Sequence, residues 1–215
     1  GGEEHLKRLL VERLRGQLLG EDDGFNLDVL DVTERWEGTA DTSEQAKRDR
    51  LPTRVDKILA LAQALPFLGG GRLLIVRNID QLANDQQKRL AASLASVPPM
   101  NHVILVAGST EGGKPAKLAA DLQKGLEKQG TVFDCSPLSE SEAMAWVRAT
   151  VAEWGQTVEP AGLHLLVTRT GSDLRRLQIE VEKLSVMVGE GGVIRAHDVE
   201  LMTPRLAEES VFALT

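Results

Sequence analysis

Two hydrophobic periodicities alternate along the first 137 residues. Leucines at helical spacing between Glu3 and Leu19 predict an amphipathic helix, and alternating apolar and polar residues from Phe25 to Val32 predict a strand. Further helices are predicted over 53–65, 84–96 and 115–128, and further strands over 72–76, 102–107 and 130–133. Short, continuously apolar strands that alternate with helices favour a parallel sheet covered on both faces.

The pattern changes after Pro137, where only helical periodicity remains. Helices are predicted over 139–154, 160–169, 172–188 and 196–202. The expected organisation is therefore an α/β domain at 1–137 followed by a small all-α domain at 138–203. Residues 204–215 restart an apolar period and are expected to open a further domain, and the chain begins as if its first element were missing.

Local signals predict how several helices begin. Thr53, Asn84 and Ser172 are expected N-caps, because their side chains can accept a hydrogen bond from a free backbone N–H of the first turn. Ser139 and Glu142 have the spacing of a capping box.

Charge and composition narrow the classes of function. The net charge is −7 and aromatic residues make up 3%, so neither a basic face for phosphates nor a stacking platform for single strands is expected. A single cysteine excludes an intrachain disulfide and fits a reducing cytoplasm. The polar and charged residues 35–50 predict an exposed loop or insertion.

One segment resembles a phosphate-binding loop. Gly108 to Lys114 has the glycine and lysine spacing of that loop and lies between a predicted strand and a predicted helix. Pro115, however, stands where the loop needs a hydroxyl for magnesium and a backbone N–H for phosphate. A glycine-rich connector is the favoured interpretation, and an active ATPase of this type is the alternative.

Other candidates for chemistry are weak. Asp80 follows a predicted strand without a second carboxylate and is expected to cap a turn before Leu82. The residues before the first helix, Gly1 to His5, include two glutamates that would repel phosphate while stabilising the helix dipole. Arg175 or Arg176, at the start of a predicted helix, could reach a phosphate or form a salt bridge.

The cysteine and histidines give no pattern typical of a metal site or a nucleophile. Cys135 has no histidine nearby in sequence, and the four histidines are scattered along the chain. A buried free cysteine is usually inert. No catalytic residue, cofactor or metal is expected.

The segment from Leu65 to Gly71 is a candidate interaction feature. Phe67 and Leu68 lie between Pro66, which ends a predicted helix, and three glycines. They either project as an apolar plug for a partner or fold back over the helix–strand junction, and the residues alone favour the second arrangement.

The order of these segments resembles the delta subunit of bacterial DNA polymerase III, the wrench subunit of the sliding-clamp loader. The resemblance rests on the following segments, taken in order: Gly2-Glu3-Glu4, Phe25-Asn26-Leu27-Asp28, Leu65-Pro66-Phe67, Arg72 to Asn78, Pro137-Leu138, Gly171 to Arg175, and Glu180 to Leu184. It covers essentially the whole chain. The family's fold is an AAA+-like α/β domain with a degenerate nucleotide site, a small helical lid domain and a C-terminal collar domain.

The resemblance implies a function without intrinsic catalysis. Members of this family insert two adjacent apolar side chains into a pocket of the ring-shaped sliding clamp and open it during DNA replication, without hydrolysing ATP. That pair aligns with Phe67 and Leu68, and Leu65 and Pro66 would shape its base. Implied partners are the clamp, the delta-prime and gamma/tau subunits through the collar, and DNA only within the assembled loader.

Overall fold

The computed structural model of the protein describes residues 3–19, 25–36, 39, 52–67, 70–108 and 116–203. The chain divides into two compact units, Gly1–Ser136 and Pro137–Thr215. The first is a mixed α/β unit and the second is largely helical, as predicted. Among the described residues, no helix is both long and apolar enough to cross a membrane.

A three-stranded parallel sheet forms the centre of the first unit. Its strands are β1 (Leu27–Asp31), β2 (Arg72–Arg77) and β3 (Asn101–Val106), with β2 in the middle. All four apolar residues of β2, from Leu73 to Val76, are buried, as is typical of a strand covered on both faces. Because the strands are parallel, the segments that precede them share one edge of the sheet and the segments that follow them share the other.

In the described part of this unit, four helices accompany the sheet. They are α1 (Glu4–Leu19), α2 (Arg54–Gln63), α3 (Asn84–Ser93) and α4 (Ala120–Gln129). Leu74 and Val76 pack with Val55 and Ile58 of α2 in the main core, while α1 lies against β2 and β3. Two 3₁₀ turns, Ile79–Gln81 and Leu94–Ser96, lead into and out of α3.

The second unit is built from α5 (Glu140–Glu153), α6 (Pro160–Thr170), α7 (Leu174–Val188) and α8 (Ala196–Met202). Their apolar stripes form one core. Gly162 allows α6 to approach the chain before α8, since a Cβ there would lie 2.9 Å from the carbonyl carbon of Arg195. The unit is not strictly all-α: β4 (Thr157–Val158) and β5 (Val193–Ile194) form a two-residue parallel ladder that the sequence pattern did not indicate.

Two predictions for the first unit are wrong. Residues 131–133 contain no strand, and Val132 and Phe133 are half exposed. So short an apolar run becomes a strand only where a neighbouring strand pairs with it. Among the described residues, β3 pairs with β2 alone, so residues 131–133 have no partner strand. The helix expected from Pro115 begins at Ala120, while Pro115 itself lies outside the described residues.

The prediction that residues 35–50 form an exposed loop is wrong at Trp36. Its ring is buried in the core, and its indole N–H donates to the carbonyl of Asp31 at 2.8 Å. A single large aromatic side chain can therefore anchor an otherwise polar stretch. Of this segment the structure describes only residues 35, 36 and 39.

Two of the four predicted helix starts are confirmed. Thr53 forms a reciprocal capping box with Asp56, and Ser139 forms one with Glu142. The other two positions are wrong by one residue. Asn84 is the first helical residue after Ala83, and Asp173 rather than Ser172 accepts the N–H of Arg176.

Candidate partner-binding surface

Leu65, Pro66 and Phe67 lie directly after the end of α2. The side chain of Leu65 is 76% exposed and that of Phe67 is 54% exposed, while Pro66 is half-buried. Leu68 lies outside the described residues. Two large apolar side chains, those of Leu65 and Phe67, are therefore exposed to solvent at the end of one helix.

A buried asparagine fixes the end of α2. The side-chain amide of Asn101, the first residue of β3, donates to the carbonyls of Ala62 and Ala64, both at 2.8 Å. The last carbonyls of a helix have no partner within the helix, so this amide takes the place of the next turn. The direction in which the chain leaves α2 is therefore set by the sheet.

A second asparagine fixes the backbone of Phe67. The Oδ1 atom of Asn26 accepts the N–H of Phe67 at 2.6 Å, and its Nδ2 atom donates to the carbonyl of Phe67 at 3.1 Å. The backbone carbonyl of Asn26 in turn accepts the N–H of Leu73 at the start of β2. Phe67 is thus tied to the residues that precede β1 and β2.

Phe25 and Met100 extend this apolar surface. Phe25 precedes β1, and its ring centroid lies 5.4 Å from that of Phe67 with a tilt of 42°. Met100 precedes β3 and is half exposed, and its carbonyl would lie 2.9 Å from a Cβ at Gly71. Phe25, Phe67 and Met100 all belong to the segments that enter the sheet. We call Phe25, Leu65, Phe67 and Met100 the entry-edge surface.

The sequence interpretation missed Phe25 and Met100. The sequence pattern assigned Phe25 to the start of a strand and gave Met100 no role. The signal that could have found them is the parallel sheet itself, because residues just before successive parallel strands share one edge.

The opposite edge of the sheet is occupied by polar side chains that bond to one another. Asp31, at the end of β1, accepts hydrogen bonds from Thr33 and from Nδ2 of Asn78. Burial opposes ionisation of Asp31, but these hydrogen bonds outweigh it and lower its pKa. Asn78 has a left-handed backbone, φ 58°, which is uncommon for a residue other than glycine.

Gly108, where the resemblance to a phosphate-binding loop begins, lies at this opposite edge. Its N–H donates to the carboxylate of Asp80 at 2.5 Å, so that donor is engaged by an acidic side chain of the same chain. The sequence had indicated that Asp80 caps the turn before Leu82. This prediction is wrong, because the 3₁₀ turn has no side-chain cap. Residues 109–115, including Lys114, lie outside the described residues.

The sequence also singled out Glu4, Cys135, Arg175 and Arg176. Glu4 pairs with Lys7 at 2.7 Å, and Lys7 also donates to the carbonyl of Ala107. Cys135 is buried, and burial raises the pKa of its thiol. Arg175 and Arg176 are exposed in the first turn of α7. Within the described ranges, no group of three or more potential ligands could hold a metal ion.

Comparison with solved structures shows the fold. The clamp loader delta protein of Bacillus subtilis matches 95% of this chain with a TM-score of 0.65 and 24% identity. The α/β unit followed by a helical unit is therefore the fold of that clamp loader delta protein.

Sequence comparison supports a resemblance to one family. Residues 37–136 match the family model of DNA polymerase III, delta subunit. The DNA polymerase III subunit delta of Bacillus subtilis aligns with 100% of the chain at 23% identity over 223 residues. The resemblance to the delta-subunit family stated from the sequence is confirmed. The chain spans 58% of that relative's length and 57% of the matched structure.

Proposed function

We propose that this chain is the clamp-binding part of a clamp-loader delta subunit. It binds the DNA polymerase sliding clamp through an apolar wedge formed by Phe67 and Leu68 with Leu65 and Pro66, and it helps to open the ring without hydrolysing ATP itself. The observation that carries this proposal is the exposure of Leu65 and Phe67 beyond a helix end that Asn101 fixes, with the backbone of Phe67 held by Asn26.

The energetics of such a wedge are favourable. Burying two large apolar side chains in a partner's pocket contributes roughly 3–6 kcal/mol before the costs of association. Because the backbone of Phe67 is already held by Asn26, little conformational entropy remains to be lost on binding. A wedge opens a ring only if it binds the open interface more tightly than the closed one, and this differential affinity is the quantity that matters.

The same proposal assigns the remaining partners. The delta-prime and gamma/tau subunits would be its other protein partners, and DNA would be contacted only within the assembled loader. Such a function in DNA replication places the protein in the bacterial cytoplasm.

Titration of purified sliding clamp tests the wedge. We expect the double variant Phe67→Ala, Leu68→Ala to weaken clamp binding by at least about a hundredfold, since it removes most of the buried apolar area. Phe133→Ala is the matched control, because Phe133 is a phenylalanine of the same unit with 51% exposure that lies outside the proposed wedge. Unchanged clamp affinity in a double variant with a wild-type circular dichroism spectrum would contradict the proposal.

A further inference from the structure

Phe25 is more exposed than any other described phenylalanine. Its side chain is 73% exposed, and its ring lies beside that of Phe67. A ring held open to solvent contributes little to folding, because its apolar surface stays in water. Paired aromatic rings that remain exposed are typical of surfaces that bind another protein.

Asn26 couples the two rings. It follows Phe25 in the chain, and its side chain bonds to both the N–H and the carbonyl of Phe67. This pair of bonds resembles the pairing of two neighbouring strands, and it fixes the backbone from which the Phe67 ring projects. The residue that positions one ring is therefore the covalent neighbour of the other.

From this continuity we propose that Phe25 and Asn26 belong to the clamp-binding surface. Phe25 is a further aromatic contact beside Phe67, and Asn26 is a positioning residue that orients Phe67 before the clamp arrives. The inference rests on the proposed function above. The partner is the apolar pocket region of the sliding clamp. The ring of Phe25 lies 5.4 Å from that of Phe67, so a partner that buries Phe67 also contacts Phe25.

The test is a titration of purified sliding clamp against the full chain and its variants. We expect Phe25→Ala to weaken binding about tenfold, the effect typical of an aromatic residue at the edge of a binding hot spot. Phe133→Ala serves again as the control and leaves binding unchanged. Because Phe25 is exposed, its replacement leaves the thermal unfolding midpoint within the range of the control.

Asn26 is tested by an isosteric variant and by a double-mutant cycle. Asn26→Asp keeps the acceptor for the N–H of Phe67 but places an oxygen against its carbonyl, so it weakens clamp binding although its size is unchanged. Asn26→Ala accelerates hydrogen exchange at the N–H of Phe67. In a Phe67→Ala background, Asn26→Ala has no further effect on clamp affinity, because it acts through the Phe67 ring.

The outcomes separate this inference from the proposed function. If Phe67→Ala weakens clamp binding while Phe25→Ala and Asn26→Asp do not, the wedge stands and the inference is wrong. If Asn26→Ala weakens binding equally with and without Phe67, its effect is structural and the positioning role is wrong. If the wild-type chain does not bind the clamp, or if Phe67→Ala binds as the wild type does, the proposed function fails and the inference fails with it.

Discussion

Asn101→Ala should loosen the end of α2 and destabilise the first unit. Asn101 is buried at the start of β3, and its amide donates to the carbonyls of Ala62 and Ala64. The substitution removes both hydrogen bonds without adding a donor. It therefore tests whether the sheet determines where the helix stops.

The magnitude follows from the two lost bonds. A typical hydrogen bond contributes about 1 kcal/mol net, so the pair accounts for about 2 kcal/mol. Ala62 is buried, and a carbonyl left there without a partner costs roughly 1–3 kcal/mol more where water cannot reach it. We expect a total loss of roughly 2–5 kcal/mol, with the lower end applying if water reaches the carbonyl. Asn84→Ala is the control, because Asn84 is exposed at the first position of α3 and should change stability by less than about 0.5 kcal/mol.

Urea denaturation followed by tryptophan fluorescence measures this loss. The protein has three tryptophans, of which Trp36 lies in the core of the first unit, while Trp146 and Trp154 lie in the second. Replacing the latter two by phenylalanine makes the signal report on the first unit alone. Linear extrapolation then gives the free energy of unfolding for each variant.

Equal unfolding free energies for Asn101→Ala and the Asn84→Ala control would refute the reasoning. That result would mean that the carbonyls at the end of α2 find other donors at no cost. A loss of the expected size should also weaken clamp binding, because Leu65 and Phe67 follow the helix end that Asn101 holds.

Two further predictions concern pH and nucleotide. Burial opposes ionisation of Asp56, yet hydrogen bonds from Thr53 and the charge of Arg89 lower its pKa below the ordinary 3.8. The ionised carboxylate therefore stabilises the folded state at pH 7, and this contribution is lost as the pH falls through the lowered pKa. Asp56→Asn should therefore cost about 1 kcal/mol at pH 7 in urea denaturation, and a cost that persists undiminished at pH 2–3 would contradict this. Because the N–H of Gly108 is already bonded to Asp80, we expect no magnesium-dependent ATP turnover and no effect of Lys114→Ala on nucleotide binding. Micromolar ATP binding that is abolished by that substitution would favour an active ATPase instead.

Much of the framework could be predicted from local sequence. The continuous apolar run of β2 and the leucine spacing of α1 gave the correct element types, because burial on both faces and burial on one helical face leave different periodicities. The N-cap at Thr53 and the capping box of Ser139 with Glu142 were predicted because the bonded groups lie within one turn. Element ends were less accurate, as the one-residue displacements at Asn84 and Asp173 illustrate.

Errors arose where the outcome depended on residues distant in sequence. Val132 and Phe133 had the composition of a strand but no strand beside them. Trp36 lies in a polar stretch, but its ring packs in the core and its indole N–H donates to the carbonyl of Asp31. In each case the local pattern was read correctly, and the partner that decided the result came from elsewhere in the chain.

The amino-acid sequence by itself determined the α/β order of the first unit and the helical character of the second, and it singled out a leucine–proline–phenylalanine segment between a helix and a glycine run. The residues alone favoured a folded-back arrangement of that segment, and the structure shows Leu65 and Phe67 exposed. Only the tertiary structure decided which residues join that segment into one surface. Parallel pairing brings the starts of β1, β2 and β3 to one edge, so that Asn26 bonds to Phe67, which is 41 positions away in the sequence, and Asn101 bonds to Ala62, which is 39 positions away. The physical reason is that side-chain hydrogen bonds depend on distance in space, which the periodicity of a single segment does not encode.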